Sequence, residues 1–280
     1  MAEFDPGPIH APFNDLASAF PDATAYPFND FRVEWGPIFH RGRLDGSARV
    51  LCIGQDPGQH ENVLRRILVG EAGRRVQGFL KKLGITRSYV MINSLLYSVY
   101  GSNGAKFVDD PAVLNYRNQW LHGIMASGNI QAVVTFGQMA AKSWKLWKQT
   151  PAGAVFHVPV QNLTHPTQPE SATTAKAERA VLTKKLLEQW NLGLQALRPG
   201  ITSPDEPIPS SLYGTEFLES DKADIPSFDL PPGIPAWMYD NDGWAVRGYP
   251  AKLPAANTDA QKLLLKRTVL VMTVPKDVIS

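Results

Sequence analysis

A single cysteine, Cys52, stands in a chain of 280 residues. One thiol excludes an internal disulfide, and it excludes an iron–sulfur cluster too, because clusters are held by several thiolates. The six histidines are scattered, without the spacing of a metal site. No apolar run approaches the roughly 18 residues that span a bilayer, and no basic stretch followed by an apolar one opens the chain. The expectation is a cytoplasmic protein with no membrane attachment, metal or cofactor. No self-complementary apolar stripe is visible, so a monomer is expected. No Gly-rich phosphate loop of the usual pattern occurs, which weighs against a nucleotide- or sugar-phosphate-binding enzyme. Net charge is only +2, which by itself argues little for nucleic acid.

What is present is apolar residue in strand-length runs, 44% of the chain overall. Residues 50–54, 89–93, 130–137 and 158–163 read as buried strands. Between them Val76, Phe79, Leu80 and Leu83 recur at helical spacing and end near Gly84. Val113, Tyr116, Trp120 and Ile124 stripe a helix over 111–126, with Pro111 in its first turn. Gly137 opens a third helix carrying Met139, Trp144 and Trp147, and a fourth spans 174–194. Strands alternating with helices imply α/β architecture: three layers, αβα, around a central four-stranded parallel sheet. That unit is expected to occupy residues 1–200, with the Pro-, Phe- and Asn-rich residues 1–45 wrapping the core. Past residue 200, ten prolines fall between Pro204 and Pro275, with isolated aromatics at Trp237, Tyr239, Trp244 and Tyr249. Residues 201–280 therefore read as an extension packed on the core or on a partner. Prolines forbid long helices there, and the aromatics argue against disorder. Residues 260–272 could form one short helix or strand.

Two loops carry the chemistry. The first strand stops at Gly54 and runs into Gln55-Asp56-Pro57-Gly58, a stiff turn with one carboxylate. The last strand runs into Thr164-His165-Pro166-Thr167. Asn93 and Gly137 end the two strands between. Four parallel strands thus deliver Asp56, Asn93, Gly137 and His165 to their carboxyl ends, where open α/β sheets bind ligands.

These residues resemble the uracil-DNA glycosylase superfamily. Gly54-Gln55-Asp56-Pro57 matches its first motif, His165-Pro166-Thr167 is similar to its His-Pro-Ser motif, and Val90-Met91-Ile92-Asn93 resembles its base-reading strand. Val69-Gly70-Glu71-Ala72-Gly73 is similar to a segment of the iron–sulfur branch. The resemblance covers roughly residues 30–195. It implies that Asp56 activates water and that His165 supports the departing base. Asn93, the backbone around Gln55, Gly58 and a wall at Leu68 would bind the base. His60, one position away from a family histidine, is a further candidate for that pocket. The histidine motif implies DNA contacts from Thr167, Gln168 and Ser171. The departures are specific. Gly58 stands where a tyrosine excludes thymine in the best-known branch, which would enlarge the pocket. Leu68 replaces a stacking aromatic, and Gln168-Pro169-Glu170-Ser171 replaces an intercalating Pro-Leu-Ser.

Charge is unevenly spread. From Arg32 to Arg87 eleven basic residues face five acidic ones, whereas residues 201–280 hold seven basic and eleven acidic. The basic excess surrounds the Asp56 loop, where phosphates would need neutralising. Arg65, Arg66 and Arg74 are the candidate DNA contacts, Arg65 and Arg66 ahead of the residues read as a wet helix face (Arg74, Arg75, Lys81, Lys82). The resulting expectation is a monofunctional glycosylase that flips uracil from DNA and leaves an abasic site. A glycosylase for hypoxanthine, xanthine or mismatched thymine, and an abasic-site binder with tight product retention, are the alternatives.

Overall fold

The computed structural model describes residues 4–100, 103–240, 243–247 and 258–278; Tyr249 lies outside them. Its first elements are α1 (Phe13–Ser18), β1 (His40–Gly42), β2 (Val50–Gly54), α2 (Gln59–Leu64), α3 (Glu71–Lys81) and β3 (Tyr89–Asn93). Then follow α4 (Pro111–Met125), β4 (Ala132–Phe136), α5 (Gln138–Lys148), α6 (Pro151–Ala154) and β5 (Val160–Leu163). The chain continues through α7 (Gln168–Ala172), α8 (Lys176–Leu197), α9 (Trp237–Asp240), β6 (Ala245–Arg247), α10 (Asp259–Thr268) and β7 (Leu270–Met272).

The sheet order is β1-β3-β2-β4-β5. Strands β3, β2, β4 and β5 are parallel, as the alternation of strands and helices demands. The sheet has five strands rather than four, because β1 adds an antiparallel edge beside β3. Alternate residues of each strand feed two cores. Leu51, Ile53, Val90 and Val133 pack with Trp120, Trp144 and Trp147 on the α4–α5 side. Cys52, Met91, Val134 and Phe136 pack with Phe79 and Trp190 on the α3–α8 side. Burial on both faces explains why these strands read as unbroken apolar runs. Central strand β2 has β3 on one side and β4 on the other. The connections leave it in opposite directions, so its carboxyl end is the switch point at which open α/β sheets bind ligands.

The C-terminal residues are bound to this core by charge as well as by apolar contact. Ile201 and Tyr213 join the α8 side of the core. Asp229, wholly buried, pairs with Arg43, lies 3.6 Å from Arg41 and accepts the Tyr89 hydroxyl at 2.5 Å. Asp221 meets Lys82 at 2.9 Å, Asp224 meets Arg74 at 3.2 Å, and Asp205 accepts the backbone amides of residues 86–88. The acidic C-terminal stretch therefore neutralises much of the basic excess between residues 32 and 87. That excess is to a large extent internal pairing. Residues 260–272 form both a helix, α10, and a strand, β7, which pairs antiparallel with β6.

Candidate active site

The turn after β2 is shaped by close packing. A Cβ on Gly54 would lie 2.2 Å from Asn93 Oδ1, so only glycine lets the neighbouring strand end press its amide against the turn. The Gly54 carbonyl accepts the Ser94 amide at 3.0 Å, and the Gln55 carbonyl accepts the Leu95 amide at 3.0 Å. These bonds zip the turn after β2 to the segment after β3. Asp56 is carried between them, and its Oδ2 accepts the Val99 amide at 3.1 Å. Burial raises its carboxyl above the usual range, while the Val99 hydrogen bond and the guanidiniums of Arg247 and Arg32 pull it back. The result is a carboxylate poised to take a proton.

His165 sits at the far end of the same sheet edge, and two helices hold its loop. Gln189 of α8 accepts the Thr164 amide at 2.7 Å, and Trp190 donates to the Thr164 carbonyl at 3.1 Å. From α3, Arg75 donates to the Pro166 carbonyl at 2.7 Å and to Glu170 at 2.8 Å. The Thr167 amide donates to His165 Nδ1 at 3.4 Å. An accepting Nδ1 leaves the proton on Nε2, which can then donate. Burial, followed by the Arg75 charge, pushes the imidazole down to about 4, against Glu170. The ring is therefore neutral near pH 7. Arg75 is buried and works as a strut, not as part of a wet helix face. An Arg75→Gln variant is expected to move the His165 titration upward, since a repelling cation is removed, and to lower activity about tenfold as the loop loosens. Histidine NMR titration beside a rate assay checks both. An unmoved titration would refute the assignment.

Asn93, which ends β3 on the side of β2 away from β5, and Leu68 both press on the turn after β2. Asn93 is buried, and its amide has no hydrogen-bond partner among the described residues. Leu68 holds a left-handed backbone (φ 53°), and its Cδ1 is 3.9 Å from a Gly54 Cβ position. A non-glycine residue there costs on the order of 1 kcal/mol, which packing must repay. The Gln55 side chain turns elsewhere, accepting the Met139 amide of α5 at 3.3 Å and packing on Gly137 (φ 93°).

The space beside Gly58 is not open. A Cβ on Gly58 would meet Glu61 Oε2 at 2.3 Å, so the buried Glu61 carboxylate fills the room that the glycine releases. Burial raises this second carboxyl as well, with Arg247 opposing and Asp56 adding to the rise. The Cβ position that Gly58 leaves free is thus taken by the end of the Glu61 side chain. His60 lies between Gly70 and Trp244, edge-on to the indole at 4.9 Å.

The candidate DNA contacts divide. Arg65 donates to the Trp35 and Pro37 carbonyls at 2.7 and 2.5 Å, and Arg66 is buried against Asp5 at 2.7 Å. Arg74 pairs with Asp224 and Glu219. These three guanidiniums hold the protein together rather than standing ready for phosphate. Thr167 supports His165, Gln168 begins α7 with its amide on the His165 carbonyl at 2.9 Å, and Ser171 is exposed with its hydroxyl on the Gln168 carbonyl. Sequence reasoning passed over Glu61, Arg75, Val99 and Arg247. Glu61 was visible shortly after the first motif; Arg247 carried no local signal at all.

A family model described as the Uracil DNA glycosylase superfamily matches residues 41–191. The match runs from β1 into α8 and takes in Asp56, Asn93 and His165. No curated protein matches the chain.

Proposed function

Because the chain belongs to the uracil DNA glycosylase superfamily, we propose that it releases uracil from DNA by hydrolysing the N-glycosidic bond and leaves an abasic site. Membership of the superfamily carries DNA glycosylase chemistry and a DNA substrate; the choice of uracil is the step taken here. The observation that supports it most is the placement of Asp56, Asn93 and neutral His165 along one sheet edge. A base inside a duplex is out of reach of such a crevice. The nucleotide must be turned out, at about a few kcal/mol. The unpartnered Asn93 amide offers a donor and an acceptor to the imide edge of uracil. Leu68 supplies an apolar wall. As the bond breaks, the sugar gains positive charge and the base negative charge. Asp56 orients water and stabilises the cation, while Nε2–H of His165 donates to the developing oxyanion. No step requires a cofactor. No helix among the described residues is long and apolar enough to cross a membrane.

Release of base from labelled single- and double-stranded DNA carrying one uracil tests the reading, with hypoxanthine, xanthine and G·T substrates alongside. If uracil survives while abasic DNA is bound, the protein is a binder of product-like sites and the catalytic reading falls.

Glu61 supplies the selectivity that Gly58 lacks in this reading. Its carboxylate occupies the side-chain space of residue 58, so it meets a base that carries extra bulk at the ring edge. Glu61→Ala is expected to raise thymine release from G·T by roughly 10- to 100-fold, the scale of one methyl group's discrimination. Unchanged thymine release with intact uracil release would move the exclusion to another wall.

A further inference from the structure

The matched segment ends in α8, yet the C-terminal arm returns to the Asp56 loop. Strand β6 runs beside α2, where the Arg247 amide donates to Gln59 Oε1 at 3.4 Å. The Arg247 guanidinium donates through Nη2 to the Pro57 carbonyl at 2.6 Å and to Ser98 Oγ at 3.0 Å. Ser98 Oγ itself donates to the Pro57 carbonyl at 2.6 Å and accepts Asn62 Nδ2 at 3.0 Å. Pro57 follows Asp56, and Ser98 precedes the Val99 amide that binds the Asp56 carboxylate. One guanidinium thus joins the two turns whose spacing fixes that carboxylate.

The arm is latched on both sides of this contact. Trp244, 4% exposed, packs on His60, and its indole donates to the Met238 carbonyl at 2.8 Å. Arg267 of α10 pairs with Glu34 at 3.1 Å, donates to the Phe31 carbonyl at 3.1 Å and covers the Phe28 ring. A guanidinium is costly to take out of water unless anions repay it. The anions that favour the Arg247 charge are Asp56 and Glu61.

We propose that Arg247 is a positioning residue of the glycosylase site, supplied by the C-terminal arm. It holds the Asp56 turn in register with the Val99 amide and sets a fixed positive charge beside the Asp56 and Glu61 carboxylates. This rests on the role given to Asp56 above. The charged groups around Asp56 are Arg247 from β6, Arg32 from the N-terminal segment and Glu61 from α2, with the Val99 amide completing the set. Burial and Glu61 disfavour the anion, and the two arginines favour it. Removing Arg247 therefore shifts Asp56 further up, and the acid limb of activity shifts with it.

The test uses full-length Arg247→Gln, Arg247→Lys and Ser98→Ala. Single-turnover uracil release is measured from pH 5 to 9, and the Asp56 carboxyl is titrated by carbon-13 NMR without substrate. Arg247→Gln is expected to raise the acid limb and the NMR titration by about one pH unit, a tenfold loss on the acid side, with KM within about twofold. Arg247→Lys returns the limb toward wild type while the rate stays low, because a point charge replaces the fork. Ser98→Ala lowers the rate with the limb fixed. A raised KM with a weaker salt dependence and an unmoved limb would make Arg247 a phosphate contact and overturn the proposal. Unchanged limb, titration and rate would reduce the arm to packing and overturn it as well. If Arg247→Gln does not fold, the lysine and Ser98 variants carry the same comparison. Should wild type release no uracil, the substrate reading falls while the NMR titration still decides the role of Arg247.

Discussion

An Asp56→Asn variant is expected to lose roughly 10³-fold or more in kcat for uracil release, within the 10²–10⁴ typical of a general base, while binding uracil-containing DNA almost as wild type does. Asparagine keeps the size of the side chain, and its carbonyl oxygen can still accept the Val99 amide that binds Oδ2 at 3.1 Å. Geometry therefore survives. What disappears is the capacity to take a proton from water and the negative charge facing the sugar as it becomes cationic. The pH profile carries an independent signature. The folded Asp56 carboxyl is raised, chiefly by burial, and the active form is the anion. Wild-type activity must then fall as pH drops through a value above the ordinary carboxylate range. That limb should vanish in the variant. Single-turnover cleavage between pH 5 and 9 measures both effects. A variant within tenfold of wild type would hand the role to Glu61, the neighbouring carboxylate, and the assignment of Asp56 would fail.

The parts of this site that could be read from sequence are those fixed by local chemistry. Strands β2, β3 and β4 are buried along their whole length, so each appears as a largely apolar run, and the turn residues Gly54, Pro57 and Pro166 mark where strands β2 and β5 give way to loops. Strand β1 escaped because it is three residues, His40–Gly42, and two of them are polar. It is buried only through distant partners: Asp5 for His40, and Asp229 and Met91 for Arg41. Guanidiniums were misplaced for the same reason. Counting charges along residues 32–87 cannot distinguish an arginine facing water from Arg65, whose partners are the carbonyls of Trp35 and Pro37. Those partners lie 30 and 28 residues away, and Asp224, a partner of Arg74, lies 150 away. Glu61 presents the opposite case. It stands just past the motif, but its meaning depends on its carboxylate folding back onto Gly58, a contact set by the first turn of α2. Arg247 lies in a Pro-rich stretch with no periodicity, and only the docking of β6 on α2 brings it to Pro57.

Replacing His165 by alanine is expected to slow uracil release by about 10²–10³-fold, the loss found when one placed donor to a developing oxyanion is removed. The nature of the loss distinguishes donor from acid. Burial and the Arg75 charge hold the ring down to about 4, so above pH 5 it is neutral and its charge state does not change. A neutral ring cannot produce a limb near pH 6 to 7. The His165→Ala profile should therefore keep the wild-type shape, displaced downward as a whole, with the Asp56 limb in place. A general-acid histidine would instead make wild-type activity climb as pH falls through 7, and the variant would lose that climb; such a result would defeat the donor role. His165→Gln adds a second discrimination, because its amide can donate but cannot be protonated in this range. It should recover part of the rate at every pH. Thr167 enters here as well, since its amide on Nδ1 at 3.4 Å and its hydroxyl at 3.2 Å keep the proton on Nε2. Loss of the hydroxyl in Thr167→Ala leaves the backbone amide to hold the tautomer, and its effect should stay within a few-fold. A Thr167→Ala loss as large as that of His165→Ala would mean that the hydroxyl itself reaches the reacting atoms.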